Sequence, residues 1–469
     1  MRDRSQVTEP TAREAALQVL AQWQEVGNPP RVPDRDDLLW QHMEPRQRAT
    51  AFDLLQGVLR SRGLLDHVIE QLLDKPIGGL EHVVRAALEL GAYQALLQSN
   101  VTDYSLVDSS VELVRLAGKP RAAGLVNAIL RGLLRLEPRA EPFVALRDDA
   151  FPVGVGRQVR FNRRMFPSPQ GDVAGHLAVV CSYPKPLVQM LLQAYGPVVT
   201  LRILIAGNLR PVVLLRDDGA NTQDLGGLVQ HQQKGWLAAT DGWTLAVAGQ
   251  VAAGKLSPQD PTAGLAVESL CAAIKAVPPD GAPRPLALLD LCAGKGTKTI
   301  QLAMRRAGDI VVATDIAPLK LELLRGRARQ LGLHRVRINL LEEVLIDHHA
   351  FDAVLVDVPC SNTGVMARRV QTRWRWPKLD RKVLQRQQLM LLTQAQKLLR
   401  AGGILVYSTC SIDPCENGDL VRQWLELQQR SPWRIVHEQM SLPAATDDPA
   451  ERCDGGYVCV LAAAGQLAV

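Results

Sequence analysis

The sequence predicts a multidomain protein with an all-α N-terminal domain, a small α+β segment and a C-terminal α/β domain of the doubly wound, Rossmann-like type. Three features indicate this order. Apolar residues recur at helical spacing from about residue 11 to residue 136. Residues 137–178 are rich in Pro, Gly and Arg, a composition typical of a connection. After residue 283, short apolar runs alternate with helix-like segments, which predicts a parallel sheet covered by helices.

Four regions follow from these changes in pattern, because a chain of 469 residues is too long for a single core. We expect a helical domain over residues 1–140, a linker or irregular basic segment over 141–180, a small α+β segment over 181–283 and the α/β domain over 284–469. Within the last region the predicted strands are 287–291, 310–315, 335–340, 353–357 and 404–408.

The composition is that of an ordinary globular protein, with 47% hydrophobic and 22% charged residues. The net charge of +6 permits an anionic partner such as RNA, and the aromatic content of 4% favours contacts to phosphates and shape over base stacking. Residues 1–16 show no apolar core of a secretory signal, and no run predicts a membrane span. We therefore expect a cytoplasmic protein that does not bind membranes; we also expect a monomer.

Cysteine spacing carries most of the chemical information. None of the eight cysteines forms a C-x-x-C pair, which argues against a disulfide framework and against a metal site. Cys360 and Cys410 each follow a predicted strand, in VLVDVPCS (354–361) and ILVYSTCS (404–411). Residues past the carboxyl ends of strands in an open α/β sheet face the ligand crevice, so two thiols there indicate covalent catalysis. The alternative is that small cysteines simply pack at strand ends.

A candidate cofactor site follows the first strand of the α/β domain. The segment LLDLCAGKGTKT (288–299) places a glycine-bearing loop at the start of a helix, where bare backbone can approach a ligand. It matches neither the fingerprint G-x-G-x-x-G nor a complete Walker A loop, and a plain tight turn is the alternative. Asp315 ends the next strand, at the position that hydrogen-bonds ribose hydroxyls in such folds, or it caps the following helix. The glycine-bearing loop, Asp315 and the two thiols together indicate that the cofactor is S-adenosylmethionine.

The segments around both cysteines closely resemble the two cysteine motifs of RNA cytosine-C5 methyltransferases. The matching segments are VLVDVPCSNTG (354–364), LVYSTCSIDPCEN (405–417), RWRW (373–376), LQRQQL (384–389), SPQD (257–260) and DGGY (454–457). The segments RAALELGAYQ (85–94) and GLVNAILR (124–131) resemble a NusB-type RNA-binding domain. This pairing is characteristic of the bacterial small-subunit rRNA methyltransferase family RsmB/Sun, and the resemblance covers nearly the whole chain.

The resemblance implies an enzyme that methylates C5 of a cytosine in small-subunit (16S) rRNA. It makes Cys410 the nucleophile that attacks C6, Cys360 the residue that assists release, and Asp357 the group that hydrogen-bonds the N3/N4 edge of the base. For Asp357 a helix cap is the alternative. Two alternative functions stay open. The enzyme could perform the same chemistry on tRNA, or the protein could be a non-catalytic RNA-binding assembly factor. The expected RNA contacts are the basic residues between the two cysteines: Arg368, Arg369, Arg373, Arg375, Lys378, Arg381, Lys382 and Arg386.

The resemblance also implies the residues that bind S-adenosylmethionine. They are the loop and the acids that follow neighbouring strands: Cys292, Ala293, Gly294, Lys295, Gly296, Thr297, Lys298, Asp315, Glu342 and Asp357. Two features depart from the family pattern. The loop reads CAGKGTKT where the family has CAAPGGKT, and Leu341 stands where the family has an acid after the third strand. Glu342 is expected to take the place of that acid.

Overall fold

The computed structural model describes residues 10–26, 40–98, 102–220, 225–276, 284–346, 348–428 and 433–463. The chain forms two compact units. The first comprises residues 1–209 together with 369–378, and the second comprises residues 210–368 together with 379–469. The second unit contains both candidate cysteines, so its architecture positions the site.

Within the described residues, the N-terminal part of the first unit forms five α-helices, as the apolar spacing predicts: α1 (Ala12–Val26), α2 (Pro45–Glu70), α3 (His82–Leu97), α4 (Asp103–Leu116) and α5 (Ala123–Leu134). The Thr102 hydroxyl accepts a hydrogen bond from the Ser105 N–H and so fixes the start of α4. The bundle buries one carboxylate, Glu89, which Arg62 and Arg85 bind at 3.4 and 3.1 Å. The all-α character of this region is confirmed.

The segment expected to be a linker, residues 141–180, is folded. It contributes to an antiparallel sheet in the order β1-β3-β2, formed by β1 (Arg139–Pro142), β2 (Ala150–Pro152) and β3 (Arg157–Arg160), and to the helix α6 (Val173–Val180). The side chains of Phe151, Phe161 and Phe166 pack with ring centroids 5.8–6.0 Å apart. The segment differs from the expected linker because these few aromatic residues build a small core that Pro- and Gly-rich composition does not reveal.

In the part of the chain that the structure describes, one helix, α7 (Lys185–Asn208), is long and apolar enough to cross a membrane by length and composition alone. This corrects the statement that no run predicts a span. Gly196 has a φ of 71° and precedes Pro197, so α7 consists of two shorter helices joined at a kink. The kink divides the apolar run into pieces that are each shorter than a membrane span requires.

The second unit begins with an antiparallel sheet in the order β5-β6-β4-β7. Its strands are β4 (Val213–Asp217), β5 (Leu228–Gln230), β6 (Trp236–Ala239) and β7 (Leu256–Pro258). Helix α8 (Leu245–Ala252) packs on this sheet through Val247. Helix α9 (Pro261–Ala276) then leads to the large sheet.

A seven-stranded mixed sheet forms the body of the second unit, in the order β10-β9-β8-β11-β12-β14-β13. The strands that the sequence predicts all run parallel: β8 (Ala287–Asp290), β9 (Ile310–Ala313), β10 (Val336–Ile338), β11 (Phe351–Asp357) and β12 (Leu399–Thr409). Two antiparallel strands extend one edge, β13 (Trp433–Ser441) and β14 (Gly456–Ala463).

Helices cover both faces of this sheet, which confirms the doubly wound class. The further helices are α10 (Thr297–Arg305), α11 (Pro318–Gln330), α12 (Leu341–Leu345), α14 (Arg381–Leu398) and α15 (Gly418–Leu427), while α13 (Gln371–Arg375) belongs to the first unit. Leu270 of α9 and Leu302 of α10 join one core, whereas Leu391 of α14 and Trp424 of α15 join the other. The carboxyl ends of the five parallel strands therefore meet at one edge.

Candidate active site

The two predicted thiols lie side by side at this edge. Strands β11 and β12 pair in parallel with Asp357 opposite Ser408, so the turns that follow them leave the sheet together. The Sγ atoms of Cys360 and Cys410 are 3.2 Å apart, within hydrogen-bonding distance for sulfur, and both residues are partly exposed. Neither Cys360 nor Cys410 forms a disulfide bond.

A buried carboxylate ties the two cysteine turns together. Glu416 accepts hydrogen bonds from the Ser361 N–H at 2.8 Å and from the Ser411 hydroxyl at 2.9 Å, which belong to the residues after each cysteine. The Ser411 hydroxyl also lies 3.0 Å from that of Ser361 and 2.9 Å from that of Thr363. Because all four side chains are buried, this network holds the two turns at a fixed spacing.

Asn362 contacts both cysteine turns. Its φ of 60° lies in the left-handed region, which Asn tolerates better than most residues. Its side-chain oxygen accepts a hydrogen bond from Cys410 Sγ at 3.2 Å, and its Nδ2 donates to the Cys360 carbonyl at 2.8 Å. Nearby, a Cβ on Gly364 would lie 2.3 Å from the Gly455 carbonyl oxygen, so only glycine permits this close approach.

An ion pair lies beside the thiols. Lys298 Nζ donates to Asp357 Oδ2 at 2.6 Å, and the Ser408 hydroxyl donates to Asp357 Oδ1 at 2.7 Å. Burial alone would lower the pKa of Lys298, but the negative charges of Asp357, Cys410 and Asp290 and the hydrogen bond to Asp357 raise it.

The surroundings of Cys360 favour its protonated form. The hydrogen bond with Cys410 and burial raise the pKa of Cys360 well above its ordinary value, and the negative charges of Cys410 and Glu416 raise it further. The backbone N–H of Asn362 acts in the opposite direction.

The predicted cofactor loop joins β8 to α10 through two glycines in the left-handed region, Gly294 at φ 58° and Gly296 at φ 86°. A Cβ on Gly296 would lie 2.1 Å from the Leu324 side chain. The Gly294 N–H donates to Asp315 Oδ2 at 2.9 Å, and Asp315 Oδ1 accepts from the Ala317 N–H at 2.9 Å. Asp315 therefore orders the loop and the turn before α11, and its oxygens retain lone pairs for a ribose hydroxyl.

Two polar atoms next to the loop have no hydrogen-bond partner among the described residues. Asp290 Oδ1, at the end of β8, and the Thr314 hydroxyl, just past the end of β9, are buried without a hydrogen bond. The other oxygen of Asp290 accepts from the Thr299 hydroxyl at 2.7 Å. Burial raises the pKa of Asp290 to about 7, and this hydrogen bond only partly opposes the rise. Unpaired polar groups beside open glycine backbone at a helix N-terminus fit a nucleotide-type cofactor.

The other predicted cofactor residues differ in exposure. Lys295 and Thr297 are exposed on the loop, and Ala293 is buried. Cys292 packs against the core of the sheet, where burial raises the pKa of its thiol. Glu342 is exposed in the first turn of α12, which follows β10 at the same edge of the sheet.

A cleft of about 350 Å³ adjoins Cys410 and the ion pair. Its lining includes Lys298, Asp357, Cys410 and the backbone of Gly455 and Gly456. The cleft therefore brings the Cys410 sulfur together with the Lys298 ammonium, the Asp357 carboxylate and exposed glycine backbone.

The basic residues between the cysteines differ in exposure. Arg373 is fully buried, with its guanidinium 3.9 Å above the Tyr183 ring and a hydrogen bond to the Gly207 carbonyl at 2.8 Å. Arg368 binds the buried Asp454 at 2.7 Å. The RNA-contact expectation is wrong for Arg373, because its donors satisfy buried groups of the first unit. Arg368 and Arg381 are partly exposed, and the exposed members are Arg369, Arg375, Lys378, Lys382 and Arg386.

Several residues of the site were not predicted from the sequence. Asn362, Ser408 and Glu416 stand in the quoted motifs, but only the pairing of β11 with β12 shows that they meet at the thiols. Asp260 and Asp454 line the same cleft from segments far apart in the chain. Across the described ranges, no group of three His, Cys, Asp or Glu residues could hold a metal ion.

Comparison with known proteins identifies two family matches. The model of the family described as 16S rRNA methyltransferase RsmB/F matches residues 282–450, and that of the NusB family matches residues 10–135. These are the α/β and helical parts of the chain.

Similar proteins span most of this chain. A Mycobacterium tuberculosis (strain CDC 1551 / Oshkosh) protein that carries a methyltransferase name is 31% identical over 378 residues, 78% of this chain and 76% of that protein. Ribosomal RNA small subunit methyltransferase B of Salmonella arizonae is 28% identical and covers 93% of this chain and 95% of its own. The crystal structure of PH0851 has the same fold, with a TM-score of 0.67 at 18% identity over 97% of this chain and 100% of its own. The chain therefore belongs to the 16S rRNA methyltransferase family RsmB/F and is an S-adenosylmethionine-dependent RNA methyltransferase with a NusB-family domain.

Proposed function

We propose that this enzyme methylates C5 of a cytosine in small-subunit (16S) rRNA through a covalent bond between Cys410 and C6 of the base. The observation that carries the proposal is the pair of thiols 3.2 Å apart, beside the Lys298–Asp357 ion pair. Cytosine C5 is a poor nucleophile, and addition of a thiolate at C6 converts it into an enamine carbon that can attack a methyl group. S-adenosylmethionine supplies that methyl group on a sulfonium.

We assign the attack to Cys410 because it lines the cleft together with Lys298 and Asp357. When its Sγ bonds to C6, electron density moves toward the N3 and O2 edge of the base. The Lys298 ammonium stabilises this charge, and Asp357 accepts a hydrogen bond from the N4 amino group, so both act on charge that develops in the transition state.

Cys360 assists the release of the product. After methyl transfer, a solvent water takes the proton from C5, and the electron pair of that C–H bond forms the C5–C6 double bond. The Sγ–C6 bond breaks at the same time, and its electron pair returns to Cys410. A neutral Cys360 thiol 3.2 Å away can donate a hydrogen bond to the departing thiolate and so favour this elimination.

The cofactor lies, in this proposal, across the carboxyl ends of β8, β9 and β10. The backbone of Gly294 and Gly296 approaches it, Asp315 binds its ribose hydroxyls, and Glu342 faces its adenine end. Lys295, exposed on the loop, is free to approach the cofactor carboxylate.

The target base must leave its stack to reach the cleft, at a cost of a few kcal/mol that is least for an unpaired base. The NusB-family domain and the rRNA methyltransferase name of the Salmonella relative support rRNA as the substrate. Ribosomal RNA places the enzyme in the cytoplasm, and we keep a monomer as the expected state.

The full chain should therefore transfer labelled methyl groups from S-adenosylmethionine to 16S rRNA. Mapping of 5-methylcytosine in rRNA and tRNA, from cells with and without the protein, should show one rRNA site that disappears. A site lost from tRNA instead would contradict the rRNA assignment. Binding of S-adenosylmethionine without any transfer would favour the assembly-factor alternative.

A further inference from the structure

We propose that a cationic surface on α11 and β10, outside the catalytic cleft, binds backbone phosphates of the substrate RNA. This arginine surface consists of Arg325, Arg327, Arg329, His334, Arg335 and Arg337. The proposal rests on the proposed function for the identity of its partner, because 16S rRNA is the polyanion on which the enzyme acts.

The arginine surface comes from a short segment that contains basic residues and no acids. The sequence RGRARQLGLHRVR (325–337) has five arginines and one histidine but neither Asp nor Glu. Acidic residues number 48 in the 469 residues of the chain, so their absence from this basic segment is a local feature. A surface that only keeps a protein soluble mixes both signs of charge, whereas blocks of like charge are common in segments that bind an oppositely charged partner.

Most of this positive charge is not neutralised within the protein. Among the described residues, only one of the five arginines forms an ion pair with a carboxylate, namely Arg325 with Glu322. Arg327 and Arg335 donate instead to backbone carbonyl oxygens, at 2.6 and 2.8 Å. These neutral acceptors hold the two guanidinium groups in place and leave their charge available to an anion.

Arg329 and Arg337 are the most accessible arginines of the surface. Both are exposed, and neither forms an ion pair with a residue that the structure describes. Arg329 lies one helical turn after Arg325 on α11, so these two side chains share one face of the helix. Arg337 is the central residue of β10, which is the edge strand of the large sheet.

An open cavity of about 480 Å³ lies between α11 and β10. Arg325, Arg329 and His334 line it, together with apolar side chains from both elements. A guanidinium can donate two parallel N–H bonds to the oxygens of one phosphate, and an imidazole N–H is a further donor. The cavity therefore presents several donors to a phosphate group.

The arginine surface begins at the edge of the sheet that holds the thiols. Arg325 Nη2 donates to the Ile338 carbonyl at 3.4 Å, at the carboxyl end of β10. In the sheet order β10 is three strands away from β11, which is about 14 Å at the usual strand spacing. A folded RNA that delivers a base to the cleft is large enough to reach this surface.

The basic stretch between the cysteines is less suited to this role, because the protein already uses part of its charge. Arg368 binds Asp454, and Arg373 is fully buried. The segment 325–337 has no buried arginine. We therefore assign phosphate contacts to the arginine surface.

Arg329→Gln/Arg337→Gln tests the proposal, because it removes two exposed charges that form no ion pair. Binding of the full-length protein to 16S rRNA, without S-adenosylmethionine, is measured by filter binding between about 50 and 200 mM salt. The slope of log K against log salt should become shallower by about 2, and the RNA affinity at the lower salt concentration should fall about tenfold. The melting temperature, the affinity for S-adenosylmethionine and kcat at saturating RNA should stay at their wild-type values.

Arg422→Gln/Arg434→Gln is the matched control, because it removes the same charge at the opposite edge of the sheet. Arg434 is exposed on the edge strand β13, and Arg422 is exposed on α15, where it pairs with Glu438 of β13. This control should keep the wild-type salt slope. Equal changes of slope in both double variants would show that only net charge matters and would overturn the proposal. An unchanged slope in Arg329→Gln/Arg337→Gln would overturn it as well.

The arginine surface and the proposed function fail separately in this experiment. If the wild type methylates 16S rRNA and the salt slope of Arg329→Gln/Arg337→Gln is unchanged, only the arginine surface is wrong. If the slope changes as expected but the wild type forms no 5-methylcytosine in 16S rRNA, the proposed function is wrong and the surface remains an RNA-binding site.

Discussion

Asp290, at the carboxyl end of β8, should make the folded protein less stable as the pH rises toward and through neutrality. The side chain is fully buried, and one of its oxygens has no hydrogen-bond partner. Burial raises the pKa of Asp290 from 3.8 to about 7, whereas the unfolded chain titrates at its ordinary value. The unfolded chain therefore loses this proton first, and stability decreases between the two pKa values.

Asp290→Asn removes the titration and keeps the size of the side chain. A pKa difference of about 3 corresponds to about 4 kcal/mol above pH 7, of which roughly 2.5 kcal/mol develops between pH 5 and pH 8. The unfolding free energy of the variant minus that of the wild type, from urea titrations followed by tryptophan fluorescence, should grow by this amount over the interval. Any constant cost of the buried amide cancels in the comparison.

Asp352 supplies a matched control at the opposite end of the sheet. Burial would raise its pKa, but hydrogen bonds from Arg284, the Ala287 N–H and Arg400 lower it. A carboxylate whose pKa is lowered by folding contributes its full stabilisation at any pH above its pKa in the unfolded chain. This stabilisation is lost only as the pH falls through its pKa in the folded protein. Asp352→Asn should therefore destabilise equally at pH 5 and pH 8. An equally flat difference for Asp290→Asn would refute the reasoning about its burial.

Three other substitutions test the loop and the basic stretch. Asp315→Ala removes the partner of the Gly294 N–H and a proposed ribose ligand, so calorimetry should show S-adenosylmethionine binding weakened about 5- to 150-fold. Unchanged affinity would show that Asp315 does not bind the ribose. Gly296→Ala forces a Cβ against Leu324 at a φ of 86°, so the melting temperature and cofactor affinity should fall together, and a neutral result would show that the loop can shift. Arg373→Met should lower the unfolding free energy of the first unit by at least about 3 kcal/mol and leave the salt dependence of RNA binding unchanged; a smaller salt slope would make Arg373 an RNA contact.

The α/β architecture could be predicted because its signals are local. Each of the five parallel strands is a short apolar run between helix-like segments, and parallel strands bring their carboxyl ends to one edge. This rule alone brings Cys360 and Cys410 together, although they are fifty residues apart in sequence, as β11 and β12 show. The same rule brings Asp315 to the glycine loop.

The features that sequence reasoning missed depend on contacts between distant segments. Phe151, Phe161 and Phe166 are too few to give a periodic pattern, yet they fold the expected linker. Arg373 belongs to a basic run that suggests a solvated surface, but the Tyr183 ring and the Gly207 carbonyl bury it. In such cases the local composition predicts an exposed segment while the folded structure buries it, because the residues that pack against each side chain lie elsewhere in the chain.

The contacts around the thiols show the same limit. The motifs predict two cysteines in one crevice, but they do not reveal that Glu416 accepts hydrogen bonds from the residue after each cysteine. The separate roles of the two thiols therefore come from the family resemblance and belong to the proposed function.

The most direct test of the covalent mechanism is denaturing gel electrophoresis of the enzyme after incubation with S-adenosylmethionine and 16S rRNA. Cys360→Ala should accumulate a protein–RNA adduct that survives denaturation, because elimination is slowed after attack by Cys410. Cys410→Ala should abolish methylation while it leaves cofactor and RNA binding largely intact, and the double variant should form no adduct. An adduct trapped by Cys410→Ala would reverse the two roles. Full turnover by both single variants would contradict the covalent account and leave the thiols as packing residues.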